Sequence, residues 1–442
     1  MTAMFPAPMD SHTMLRFLIG LVVLLLTARL LGSLARRLGL PAVVGELMAG
    51  VLLGPSLLAA LLPGVAHALV PGDAATMHVI DGVAQLGVLL LVGVTGSHLQ
   101  ADTMRRHRRT ALSVSLWGLA VPMSLGVGLG FLLPLPAGNE GAADRWIYAL
   151  FLGIAMGVTA LPVIAKTLAD MDLLHRRIGQ VILTAGTVDD TVCWLLLSIL
   201  AAAATGAVTL GGMAFAVLAP IGFAAAAATL GRVLVRLIMR RAAAAEGAGA
   251  SVSAAVLVVL SGATIAHALR LEPIFGAFVA GLLVGAPGAA DHTKLAALRT
   301  MVMAVLAPIF LATAGLRMDL TALAEPKVAL AGAVVLVVAI GGKFAGAYVG
   351  ARLSGLRGRE GLALGAGMNA RGVVEVVVAS TGLRLGVLDV AAYTTIVLLA
   401  IVTSLMAAPL LRLAMRGIPE TGTEHAARIG DDVRPRSPAP VA

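Results

Sequence analysis

Charge is scarce in this sequence. Only 12% of its 442 residues are Asp, Glu, Lys or Arg, and 59% are hydrophobic. A soluble domain carries about a quarter charged residues, so the deficit excludes one and points to a polytopic membrane protein. Cysteine is scarcer still. The single thiol, Cys193, excludes an intrachain disulfide and reads as a small buried apolar residue. Some signatures are missing altogether. No small-residue cleavage site follows the first apolar run, which Arg16 and Arg29 bracket, so no cleavable signal peptide is expected. No zinc-site or serine-nucleophile signature stands out, so neither an enzyme nor a cofactor is expected. The C-terminal segment has no glycine-rich nucleotide motif, and no nucleotide-binding regulatory domain is expected there. The net charge of +9 does not imply nucleic acid, because the arginines gather in short loops between apolar runs, where they set topology.

What is present is a series of apolar runs long enough to cross a bilayer. Thirteen can be read, at about 14–34, 41–62, 77–98, 110–133, 146–169, 177–201, 210–238, 251–269, 272–288, 298–317, 327–350, 360–381 and 391–413. The eighth and ninth are separated only by Arg270 and Glu272. The expected fold is therefore an all-α polytopic membrane protein of about 13 transmembrane helices. Basic residues follow the odd-numbered spans: Arg36 and Arg37, Arg105 to Arg109, Arg176 and Arg177, Arg240 and Arg241, Lys294 and Arg299, then Arg352, Arg357 and Arg359. The loops near 63–76, 135–145 and 202–209 hold almost none. This places the N-terminus outside and the C-terminus in the cytoplasm.

Within the sixth run lie Asp189 and Asp190. One central charge costs roughly 2.5–3.5 kcal/mol even on lenient insertion scales, and such residues usually face a water-filled ion or proton path. A merely structural pair would need only one of them. Span five is interrupted by Gly157 and Pro162, which predicts an unwound stretch whose carbonyls and Thr159 hydroxyl line a site; a benign proline kink is the plainer alternative. Span twelve carries Asn369, Arg371 and Glu375 among glycines. The spacing of Arg371 and Glu375 allows mutual pairing, and the surrounding residues predict a second break. Lys343, in span eleven, either snorkels to the cytoplasmic surface or pairs with Asp189 or Asp190. Glu46, near the cytoplasmic end of span two, reads as an interfacial, structural residue.

The two interruptions fall at matching places. With span seven (about 210–238) as a linker, spans 1–6 (about 14–201) and 8–13 (about 251–413) form two halves, each broken in its fifth span and oppositely oriented. That is the plan of inverted repeats with crossed discontinuous helices around a midplane site. Residues 1–416 read as one transporter domain, and 417–442, rich in Pro, Gly and mixed charge, as a disordered cytoplasmic tail.

Five motifs carry a resemblance over nearly the whole chain: Gly39-Leu-Pro-Ala-Val-Val-Gly-Glu46 with Gly54-Pro-Ser56, Thr159-Ala-Leu-Pro-Val163, Val188-Asp-Asp190, Ile274-Phe-Gly-Ala-Phe-Val-Ala-Gly281 and Asn369-Ala-Arg-Gly-Val-Val-Glu375. In this order they resemble the second family of monovalent cation:proton antiporters. The last motif is most similar to the branch with the plant cation/proton exchangers, and the carboxylate pair to the bacterial antiporters NapA and NhaA. The resemblance implies an NhaA/NapA-like homodimer in the cell membrane whose six-helix core moves like an elevator. It implies Asp190 as the ligand of a monovalent cation and the proton carrier, Asp189 as the partner of Lys343, and Thr159 on the first unwound stretch. The sequence departs from the family at Gly96-Ser-His-Leu-Gln100, where Gly-Leu-Glu-Leu-Asp is frequent; His98 there reads as a solvated interfacial residue.

The expected function is secondary exchange of Na+ or K+ for H+ by alternating access. A hard cation seeks carboxylate, carbonyl and hydroxyl oxygens. Asp190 can hold a cation or a proton but not both well, and the two aspartates titrate as a coupled set. Two carboxylates with one basic partner allow two protons to leave per cation, which would make exchange electrogenic. A sodium-coupled organic anion symporter of similar fold is the alternative. It would need a substrate cavity and would fit the Asp pair with Lys343 less well. A channel is disfavoured because no pore-loop filter is evident.

Overall fold

The structure, a computed structural model, describes residues 10–69, 73–97, 108–134, 142–205, 210–245, 247–291, 293–421 and 424. Every regular element among them is a helix, as expected of a chain whose backbone must satisfy itself in lipid. Among the described residues ten helices are long and apolar enough to cross a membrane, and a pair bent by 49°, Gly358–Met368 with Val373–Arg384, adds an eleventh. The other two apolar runs fold as a second interrupted pair, Ala142–Gly157 with Leu161–Asp170, and as the 12-residue helix Pro273–Val284.

Local chemistry sets the ends. Asp10 caps Ser11–Arg37, its carboxylate accepting from the N–H groups of His12 and Thr13 at 3.0 and 2.9 Å. That helix stops at Leu38 and Gly39, whose φ of +74° lies in the left-handed region, and Pro41 then starts the next. The boundary between the eighth and ninth runs is a tight turn in which Arg270 has φ +59°.

The helices pack as two bundles, each drawn from both halves of the sequence. The first holds Ser11–Arg37, Ala42–Leu53, Ala74–Ser97, Gly249–Ala268, Pro273–Val284 and Ala296–Leu316. Glycines make the approach close: a Cβ on Gly50 or Gly315 would run into the facing backbone. The second bundle holds Arg108–Leu132, both interrupted pairs, Arg177–Thr205, Pro326–Leu353 and Val390–Met415. The seventh run, read as ending near 238, continues through a π-turn to Ala244 and touches both bundles.

Where it is described, the segment expected to be disordered from 417 is tied down. Arg176 donates to the carbonyls of Ile418 and Pro419 at 3.1 and 3.2 Å, and His175 Nε2 lies 2.8 Å from Glu420 Oε1. The basic turn at 175–177 attracts the acidic residues that follow the last helix. Residues 422, 423 and 425–442, the rest of that segment, lie outside the described residues.

Candidate functional site

The polar side chains of the second bundle gather where the two interruptions cross. The first pair unwinds over Val158, Thr159 and Ala160, and resumes with Pro162 in the opening turn of the next helix, where a missing N–H costs no helical bond. The second unwinds from Asn369 to Gly372. Each break supplies a backbone partner for the other: the Ala160 N–H donates to the Ala370 carbonyl at 2.8 Å. The Ser404 hydroxyl donates to the carbonyl of Arg371.

The half-helix Ala142–Gly157 points its C-terminal carbonyls, its partially negative end, at this crossing. Two cations from the other half of the chain cap them. Arg371 donates to the carbonyls of Ala155 and Met156 at 2.7 and 2.6 Å, and Lys343 donates to that of Gly157 at 2.5 Å. Lys343 is fully buried, so the snorkelling alternative does not hold. The pairing of Arg371 with Glu375 is present at 2.9 Å with both side chains buried, although Arg371 stands in the break rather than on a helical face. Glu375 Oε2 and both amide atoms of Asn369 have no hydrogen-bond partner among the described residues.

The two aspartates differ sharply. Asp189 accepts from Ser115 Oγ at 2.6 Å, Thr159 Oγ1 at 2.7 Å and Lys343 Nζ at 2.9 Å. Thr159 Oγ1 also lies 3.0 Å from the Met368 carbonyl. A hydroxyl has one proton, and the nearer, charged acceptor is the stronger one. Asp190 is 1% exposed, and neither of its oxygens has a hydrogen-bond partner among the described residues. It lines a cavity of about 940 Å³ between the two bundles. Three carboxylates and two basic groups therefore meet at the crossing: Lys343 pairs with Asp189, Arg371 pairs with Glu375, and Asp190 has no ion pair among the described residues.

The cavity opens among Arg29, Arg36, Lys166, Arg299 and Arg412. At the other ends of the same helices the bundles are joined. Arg384 donates to both oxygens of Glu272 at 2.8 Å, Tyr393 Oη donates to the Ala314 carbonyl at 2.7 Å, and the Asp319 N–H donates to Thr394 Oγ1 at 3.0 Å. The cavity thus reaches Asp190 from the basic face, while direct contacts join the two bundles at the opposite one.

Sequence reasoning named Asp189, Asp190, Thr159, Lys343, Gly157, Asn369, Arg371 and Glu375, and the structure brings these to one crossing. It missed Ser115. Ser113 and Ser115 look alike in the sequence, yet Ser113 donates to the Gly350 carbonyl at 2.9 Å while Ser115 holds Asp189; only the packing separates them. His98 lies outside the described residues.

The chain is 33% identical over 407 residues to the Na(+)/H(+) antiporter NhaS4 of Synechocystis sp., covering 91% of this chain and 98% of that one. It is 28% identical over 416 residues to Cation/H(+) antiporter 15 of Arabidopsis thaliana, covering 94% of this chain but only 50% of the plant protein. Its fold matches the sodium proton antiporter MjNhaP1 of Methanocaldococcus jannaschii with a TM-score of 0.66 at 14% identity, over 94% of this chain and 99% of that one. The family model for the transmembrane sodium/hydrogen exchanger matches residues 21–415. With crossed broken helices, a buried carboxylate facing a cavity between the bundles, and a family match spanning nearly all its helices, the chain belongs to the sodium/hydrogen exchanger family.

Proposed function

We propose that this chain exchanges a monovalent cation, Na+ or K+, for protons at Asp190. The observation that carries this reading is the contrast between the adjacent aspartates. Asp189 is held by three donors, whereas Asp190 has no hydrogen-bond partner among the described residues and faces the cavity. A buried carboxylate without a counter-charge is strongly unfavourable, so it takes up either a proton or a cation. These two occupants compete for the same oxygens, and competition at a site that each side of the membrane sees in turn is exchange. The Thr159 oxygen and the carbonyls of the unwound stretches supply further ligands of the kind a hard cation prefers.

Alternating access is of the elevator type in this reading, the second bundle moving against the first. In the same reading the chain makes thirteen crossings, with repeats of about 14–201 and 251–413 flanking the linker helix, and works as a cell-membrane homodimer with its N-terminus outside and the basic cavity mouth in the cytoplasm. The basic rim supports that orientation. A reporter fused after Arg416 is expected on the cytoplasmic side, and one in the 135–145 loop outside. Exchange is electrogenic if Lys343 yields its proton when a cation draws Asp189 away; a membrane voltage then drives flux at roughly 2.3 kcal/mol per charge per 100 mV. Flux that ignores an imposed voltage sets the ratio at one to one.

The deciding experiment uses purified protein in liposomes with a pH-sensitive dye. Asp190→Asn is expected to fold and to lose cation-driven proton movement. Proton release by that variant at the parent rate on Na+ or K+ addition overturns the assignment.

A further inference from the structure

We propose that Glu46 is a second carboxylate station for the transported cation, lying between the basic mouth and Asp190; this rests on the assignment of Asp190 above. Read from the sequence, Glu46 was an interfacial residue. In the fold it is only 6% exposed, and it lines the same cavity as Asp190. No hydrogen bond or ion pair holds it among the described residues.

Three features fit a station rather than a structural carboxylate. The first is the space made for it. Glu46 packs on Gly32 of the first helix, where a Cβ would stand 3.1 Å from Glu46 Cγ and 3.2 Å from its Oε1. Any side chain at that position would press on the carboxylate. The second is the ring of Arg29, Arg36, Lys166, Arg299 and Arg412 around the cavity. A mouth lined by one sign of charge lowers the local concentration of ions of that sign. A cation heading for Asp190 must pass this ring, and Glu46 is the carboxylate placed to offset it. The third is that the nearest cations, Arg29 and Arg36, act on this buried carboxylate through space without an ion pair, so a cation resting on its oxygens adds a direct contact. Glu46 belongs to the first bundle and Asp190 to the second. An ion handed from one to the other therefore passes between the two bundles.

The test is sidedness. In liposomes with the protein in one orientation, Na+ or K+ is offered to the cavity face or to the opposite face, and the apparent KM is measured for each. Glu46→Gln is expected to raise the cavity-face KM by about tenfold, with the opposite-face KM and the maximum rate held. Glu46→Asp keeps the charge and is expected to recover most of the loss. Gly32→Ala keeps the carboxylate but displaces it, and is expected to raise the cavity-face KM alone; it also serves if Glu46→Gln fails to fold. An unchanged cavity-face KM, or equal changes from both faces, overturns the station. Transport by Asp190→Asn sinks the Asp190 assignment itself, whereas an inactive Asp190→Asn with symmetric Glu46 effects removes only this inference.

Discussion

Asp189 and Asp190 are neighbours on one helix and have opposite surroundings. The pocket of Asp189 is saturated: two hydroxyls and an ammonium reach it, and the ammonium is anchored in turn on the Gly157 carbonyl. Among the described residues nothing hydrogen-bonds to the oxygens of Asp190, which faces the cavity. The difference teaches that a charge at membrane depth can be made structural or functional by its partners alone. Asp189 fixes the shape of the crossing. Asp190 is kept available by the same arrangement, because its neighbour has already taken the local donors.

The contrast can be broken most forcefully at the ion pair. Lys343→Met leaves Asp189 buried without its cation and is expected to cost about 3–5 kcal/mol. The double variant with Asp189→Asn should lose about 1–3 kcal/mol less than the sum of the two single losses. Thermal unfolding of all four proteins in detergent measures this, and strict additivity denies the pairing.

A middle-sized effect is expected at Thr159. Thr159→Val removes a donor to Asp189 and an oxygen from the unwound stretch. It should raise the cation KM by about threefold to tenfold, near 1 kcal/mol, with a smaller change in maximum rate. If the maximum rate falls and KM holds, the hydroxyl orders the transition between states rather than the cation. Ser115→Ala should cost about 1 kcal/mol of stability, with Asp189 keeping its other two donors.

The smallest stability effect sharpens the comparison most. Asp190→Asn abolishes exchange in the proposal above, yet its melting temperature should stay at or above that of the parent, because the change removes a buried, unpartnered charge. Asp189→Asn should melt earlier. If the two variants melt in the reverse order, the roles of the aspartates are exchanged.

Much of this was legible in the sequence, for a physical reason. Lipid forces apolar runs into helices, so Gly157, Pro162, Asn369 and the glycines around Arg371 stood out as interruptions in a uniform pattern. Matching their positions between halves gave the crossing. What stayed hidden depended on contacts across the bundle. The pairing of Arg371 with Glu375, four residues away, was readable; its grip on the carbonyls of Ala155 and Met156, over two hundred residues earlier, was not. Glu46 looked interfacial because its depth was judged along one helix, whereas its burial comes from the neighbouring helices.

The capping of Ala142–Gly157 by Lys343 and Arg371 has a consequence for biogenesis. Residues 142–190 emerge from the ribosome long before 343 and 371. Until those residues arrive, the first half holds three helix-end carbonyls and the Asp189 carboxylate without their cations. The first half alone therefore cannot complete the crossing, however well its helices insert. A chain stopped after residue 245 should reach the membrane with loose, protease-sensitive helices, and co-expression of residues 246–442 should restore the missing cations and close the bundle.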